Sequence, residues 1–183
     1  YSYSPTVIRF IHPETCETLE SIKIGLSGRW YNYPAAADLD GDGLMELITG
    51  TSTMTYIYKW DSNANNGKGG HVLKSKANVD FRPMSQLFDI DGDGNTEIVG
   101  SFGSVIRVNK ADLSLTVLAN TDLFTDPDAS SSGSYTNESS QDAAIGNLDA
   151  DSDGIAELVT GEGLYTWLRE SNTWKRLLTF PWH

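Results

Sequence analysis

Three nine-residue windows hold the residues of this chain best suited to chemistry. Residues 38–46 read DLDGDGLME, residues 89–97 read DIDGDGNTE and residues 149–157 read DADSDGIAE, and all three fit D-x-D-x-D-G-x-x-E. Asp at alternating positions can turn hard oxygen donors onto one point, and the following Gly allows the sharp bend this needs. Position 7 offers a backbone carbonyl, and the Glu at position 9 closes the shell. Such a donor set suits Ca²⁺, which accepts six to eight oxygens in a flexible loop. Mg²⁺ demands tighter octahedral geometry. Zn²⁺ would want His or Cys, and none lies in the windows. A single D-G turn is commonplace, but three in register favour calcium over mere acidic turns. The EF-hand is excluded. It needs a Glu at position 12, where this chain has Thr49, Gly100 and Thr160.

The charge of the chain sits almost wholly in these windows. They hold 12 of the 25 acidic residues in 27 of 183 positions and no Lys or Arg, where even scattering would put about four acids. The remaining 13 acids balance 13 Lys plus Arg, so the formal −12 belongs to three loops that something must neutralise. An acidic surface argues against nucleic-acid and anionic-membrane partners. No apolar run approaches the roughly 18 residues of a membrane helix, so membrane insertion is not expected. The single cysteine, Cys16, excludes an internal disulfide and a cysteine-rich zinc site. The chain opens at Tyr1 with neither Met nor a signal-peptide pattern, which suggests a processed piece.

The elements that would position the loops repeat with them. Each window is followed by a short apolar run: 47–50, 98–100 and 158–161. Then come alternating or aromatic-rich strand patterns at 55–59, 104–108 and 163–168, and return strands at 71–74, 115–118 and 174–180. Helical periodicity is absent, and the expected fold is all-β. With one strand before each loop, every unit has four antiparallel strands, the signature of a β-propeller blade. Residues 7–11 and 18–24, joined by the turn at 12–16, form the hairpin of an earlier blade without its first two strands. The expected organisation is therefore a half blade at 1–28 and blades at 29–79, 80–124 and 125–183, the last carrying a serine-rich insertion at 126–142. A closed ring needs at least four blades. Three and a half imply a partial propeller, completed by further chain or a neighbouring chain.

The windows and their flanks, AADLDGDGLMELITG, FDIDGDGNTEIVGSFG and NLDADSDGIAELVTGEG, resemble the FG-GAP family, also called VCBS or integrin-α-like repeats. Phe102-Gly103 supplies an "FG" in the second unit. The segment FIHPETCETL is similar to the D-P-x-T-G hairpin turn of many blades, with Cys16 in place of the Gly. The resemblance implies a calcium-loaded propeller, commonly seven-bladed, of the kind found in integrin heads and many secreted bacterial proteins. Carried onto this chain, it implies three Ca²⁺ sites. The first uses Asp38, Asp40, Asp42, the Leu44 carbonyl and Glu46. The second uses Asp89, Asp91, Asp93, the Asn95 carbonyl and Glu97. The third uses Asp149, Asp151, Asp153, the Ile155 carbonyl and Glu157. In the third, Ser152 stands where the first two have Gly, and an alternative register starts at Asn147 with a two-residue insertion.

Function is expected to be non-catalytic: recognition, adhesion or scaffolding by an extracellular or cell-surface module with a protein or carbohydrate ligand. His12, His71 and His183 show no metal-ligand spacing, and no nucleophile elbow or P-loop is present. The alternatives are the propeller of a carbohydrate-active enzyme such as a polysaccharide lyase, and a structural segment of a large surface assembly. Aromatic and arginine residues at 29–33 and 81–82 have the composition of a binding platform, against the plainer reading of inter-blade packing. Tyr56, Tyr58 and Trp60 are expected in the core, and Trp167, Trp174 and Trp182 in blade packing or an edge cover. Asn137-Glu138-Ser139 fits a glycosylation acceptor.

Overall fold

The computed structural model describes residues 5–26, 34–51, 53–79, 86–100, 103–120, 123, 143–148, 153–160 and 163–180. The platform residues 29–33 and 81–82, the serine-rich stretch with Asn137, Phe102, Asp149, Asp151, Trp182 and His183 lie outside these. The described residues form β1 (Pro5–Ile11), β2 (Thr18–Leu26), β3 (Ala35–Ala37), β4 (Glu46–Gly50), β5 (Thr55–Asp61), a short turn α1 (Ala64–Gly67), β6 (Gly70–Ala77), β7 (Gln86–Phe88), β8 (Thr96–Val99), β9 (Val105–Val108), β10 (Leu115–Ala119), β11 (Ala143–Gly146), β12 (Glu157–Thr160), β13 (Gly163–Leu168) and β14 (Thr173–Thr179). Strands β1 and β2 form a hairpin. The rest make three antiparallel four-stranded sheets in sequence order: sheet I (β3–β6), sheet II (β7–β10) and sheet III (β11–β14). The protein is all-β, and each acidic loop joins the first and second strands of its sheet. Among the described residues no helix is long and apolar enough to cross a membrane.

The hairpin turns explain why β1–β2 belongs with the outer strands of the sheets. In the first turn the His12 N–H donates to the Glu17 carbonyl and the Cys16 N–H to the His12 carbonyl, both at 2.9 Å. In sheet II the Asn109 N–H donates to the Ser114 carbonyl and the Leu113 N–H to the Asn109 carbonyl, at 2.9 and 2.8 Å. Cys16, Leu113 and Asn172 of sheet III all have positive φ, at 58°, 60° and 51°. The three turns thus share one left-handed position, which costs a side-chain-bearing residue about 1–2 kcal/mol. Cys16 occupies it in the first turn.

The units stack in chain order through three apolar seams. Ile22 and Ile24 of β2 pack with Leu47 and Tyr58 of sheet I. Ile48, Ile57 and Leu39 on the other side of sheet I meet Ile98, Ile106 and Val108 of sheet II. Ile90, Val99 and Val105 then meet Leu158, Tyr165 and Trp167 of sheet III. A strand covered on both faces loses the alternation of apolar and polar positions, and β4 (ELITG) is buried along its whole length, Glu46 and Thr49 included. Polar links cross the seams too. Trp174 Nε1 donates to the Gly103 carbonyl at 2.9 Å, and Ser75 Oγ to the Leu113 carbonyl at 2.6 Å. Gln86 of β7 bonds both the Ala143 carbonyl and the Ile145 N–H of β11. Trp167 is fully buried, but Trp60 is 40% exposed. It lies over Gly69 and edge-on to His71 near the end of its hairpin, beyond the reach of the core that Tyr58 enters.

Candidate metal centre

The first two acidic loops are each first a backbone cage. In the first loop, Asp38 accepts the Gly41 N–H at 2.7 Å and the Gly43 N–H at 3.0 Å. Asp40 accepts the Asp42 N–H at 3.3 Å, and Asp42 the Leu44 N–H at 2.9 Å. The second loop repeats this with Asp89 on the Asp93 and Gly94 N–H groups, Asp91 on Asp93, and Asp93 on Asn95. Gly41, Gly43, Gly92 and Gly94 all have positive φ, so the D-G steps supply the left-handed bends. The position-9 glutamates are fully buried. Glu46 Oε2 accepts the Leu39 N–H at 2.8 Å, and Glu97 Oε2 the Ile90 N–H at 3.1 Å. One oxygen of each glutamate locks the loop while the other faces inward.

The inward oxygens converge on a cation that the sequence patterns did not reveal. In the first loop, Lys59 Nζ on β5 contacts Asp40 Oδ2, lies 2.6 Å from Asp42 Oδ2 and 3.5 Å from Glu46 Oε1. In the second, Arg107 on β9 reaches Asp91 Oδ2 and Asp93 Oδ2 through one terminal nitrogen, the latter at 3.2 Å, while its Nε donates to Glu97 Oε1 at 2.8 Å. Glu97 and Arg107 are direct cross-strand partners. Lys59 follows Tyr58, whose partner Leu47 follows Glu46. The signal was therefore in the strand register: the third strand of each sheet carries one residue opposite the loop's final Glu.

The electrostatics follow from burial and these contacts. The Lys59 hydrogen bond, then the Leu44 N–H, hold the Asp42 carboxyl below its ordinary range. Burial works to lower the Lys59 pKa, but the hydrogen bonds to Asp40 and Asp42 and the Glu46 charge outweigh it and hold the ammonium firmly protonated. Arg107 behaves the same way among Glu97, Asp91 and Asp93. Glu97 goes the other way: burial pushes it up despite the Arg107 and Ile90 bonds. The partners differ because Arg107 keeps 27% of its side chain in solvent while Glu97 keeps none.

Two acidic groups could hold a metal ion, Asp38 with Asp40 and Asp42, and Asp89 with Asp91 and Glu97. Glu46 Oε1 bears on the fit: it is buried and makes no hydrogen bond among the described residues. The third loop is built differently. Glu157 Oε2 accepts the N–H of Leu148 at 2.9 Å, and Gly146 pairs with Glu157 as Ala37 does with Glu46 and Phe88 with Glu97. Asn147 therefore falls where Asp38 and Asp89 stand, and this loop is two residues longer, matching the register that starts at Asn147. Asp153 accepts the Ile155 N–H at 2.7 Å. Opposite Glu157 stands Thr166, not a basic residue.

The loops also touch the next sheet. A Cβ on Gly41 would lie 3.1 Å from the Lys110 side chain, and one on Gly92 would lie 2.9 Å from the Gly154 carbonyl oxygen and 3.1 Å from Arg169. Lys110 and Arg169 hold equivalent places in the β9–β10 and β13–β14 turns, three residues before Leu113 and Asn172. No family model, curated protein or solved structure matches this chain.

Proposed function

We propose that the chain is a stretch of a calcium-stabilised β-propeller that acts outside the cell as a non-catalytic recognition or scaffolding module. The observation that carries this reading is the gathering of three carboxylate oxygens, from loop positions 3, 5 and 9, around one basic side chain in each of the first two loops. Hard oxygens aimed at one point, with a buried Glu46 oxygen lacking a hydrogen bond, form a donor set that suits a divalent ion. Bound calcium would supply charge neutralisation only. The chain's own groups do the rest: Asp38 and Asp89 hold the turns, and Glu46 and Glu97 tie them to the sheet. The proposed ligands are Asp38, Asp40, Asp42, Leu44 and Glu46, then Asp89, Asp91, Asp93, Asn95 and Glu97. In the third loop they are Asp149, Asp151, Asp153, Ile155 and Glu157, with Asn147 opening the site. At free calcium of one to ten times Kd, each site adds about 0.4–1.4 kcal/mol. Native mass spectrometry before and after chelation tests this: chelator-sensitive calcium on the folded chain is expected, and a metal-free chain in millimolar calcium refutes it.

An open sheet face favours the chain being one segment of a larger array. On sheet II, Ile90, Val99, Val105 and Ala119 are buried under sheet III. Their counterparts on sheet III are Leu148, Val159, Leu164 and Leu178, and Leu178 is 52% exposed where Ala119 is 7% exposed. A further propeller blade, from the same protein or a neighbour, is the proposed cover.

A further inference from the structure

Lys59 and Arg107 occupy the point on which the loop oxygens converge, and the third sheet has Thr166 at the matching position. We infer that Lys59 and Arg107 are resident counter-cations that compete with calcium for the first and second loops. The inference rests on the calcium reading of those loops and adds to it a built-in control of affinity. Without metal, each basic side chain neutralises part of its loop and lets the chain keep its fold. With metal, a dication drawing on the same oxygens must displace or face that charge. A dication and a unit charge about 4 Å apart repel even in bulk water strongly enough to weaken binding about thirtyfold.

The two loops differ in how firmly the plug is held. Lys59 is a point charge on a flexible stem, with close contacts to Asp40 and Asp42 and a longer one to Glu46. Arg107 spreads a rigid fork over Asp91, Asp93 and Glu97, and its backbone is paired directly with that of Glu97. A planar fork gives up several charge-assisted bonds at once when displaced. The first loop therefore fills at lower calcium than the second.

The test is calorimetric titration of the full chain with calcium chloride, for the native sequence, Lys59→Met, Arg107→Met and the charge-preserving Lys59→Arg. Melting of each in EDTA runs alongside. Each Met variant is expected to tighten one binding event about ten- to thirtyfold and to melt lower in EDTA, while Lys59→Arg stays as weak as the native chain or binds more weakly still. If a Met variant does not fold, Lys59→Gln and Arg107→Gln, which remove the charge but keep hydrogen-bonding groups, carry the same expectation. Calcium binding by the native chain that no charge-removing variant tightens overturns the competition and leaves the calcium reading standing. No binding by any of them up to about 10 mM, ten times weaker than extracellular modules, overturns both.

Discussion

Replacing Glu97 with Gln should separate what the loop needs without metal from what it needs with metal. Glu97 has no solvent exposure; its Oε2 takes the Ile90 N–H and its Oε1 the Arg107 Nε–H. Burial raises its pKa. A group whose folded pKa is raised contributes stability that is full below its unfolded pKa and is lost as pH rises through the folded value. At neutral pH in chelator, the Glu97 charge thus works against folding. Gln keeps an oxygen for Ile90 and removes that charge, while its amide nitrogen faces the Arg107 Nε–H and that bond is given up. Arg107 is not stranded, since it keeps Asp91, Asp93 and part of its solvent. Truncating one partner of a wholly buried pair costs about 3–5 kcal/mol, but here the change in EDTA should stay within about 1 kcal/mol. Calcium at ten times Kd should stabilise the native site by about 1.4 kcal/mol, and Glu97→Gln should forfeit that increment. Urea unfolding at pH 7, in EDTA and in calcium, reads both numbers. A loss above about 3 kcal/mol in EDTA, or an unchanged calcium increment, would refute the reasoning.

Other expectations follow from single contacts. Gly43 has open space and Gly92 does not, so Gly43→Ala should cost about 1–2 kcal/mol from its positive φ alone. Gly92→Ala should cost about 1 kcal/mol more because its Cβ meets the Gly154 carbonyl; equal urea midpoints would contradict the loop–loop packing. Glu20 accepts the His71 N–H at 2.8 Å and sits 2.6 Å from His71 Nδ1, so Glu20→Ala should cost about 1–2 kcal/mol and speed hydrogen exchange selectively in β1 and β2. Leu178→Lys should change the stability of the isolated chain by less than about 0.5 kcal/mol but abolish any self-association through that face. Ala119→Lys, at the covered counterpart, should cost more than about 3 kcal/mol. Urea titration and sizing chromatography distinguish the two.

The strands were legible because each is short, β-rich and bounded by turn residues. The pattern expected at 163–168 coincides with β13, and that at 55–59 stops two residues short of the end of β5. The three-residue strands β3 and β7 carry too little sequence to show a period. They are identified only as the partners that antiparallel pairing demands on the far side of each acidic loop. Trp60 was misread because alternation gives the side of a strand but not how far along it the neighbouring unit reaches. The shared hairpin geometry was half visible. The likeness of FIHPETCETL to a D-P-x-T-G turn marked position 16 as a glycine position, and Cys16, Leu113 and Asn172 share its backbone with three unrelated side chains.

The loop oxygens and their counter-cations differ in legibility for a physical reason. The loop carboxylates lie within nine residues, so their spacing is local and a motif can record it. Lys59 and Arg107 reach the loops across a strand pair, at offsets from the final Glu of 13 and 10 residues, because the strand pairing runs on to Gly50↔Thr55 in sheet I but ends at Val99↔Val105 in sheet II. A pattern read along the chain shows a neutral body beside three charged loops. Folded into register, two of those body charges belong to the loops, while the matching position opposite Glu157 in the third sheet holds Thr166. Three near-identical motifs are thus placed in unequal electrostatic settings by residues outside them. The unequal calcium affinity proposed for the first two loops is set by the sheets, not by the motif.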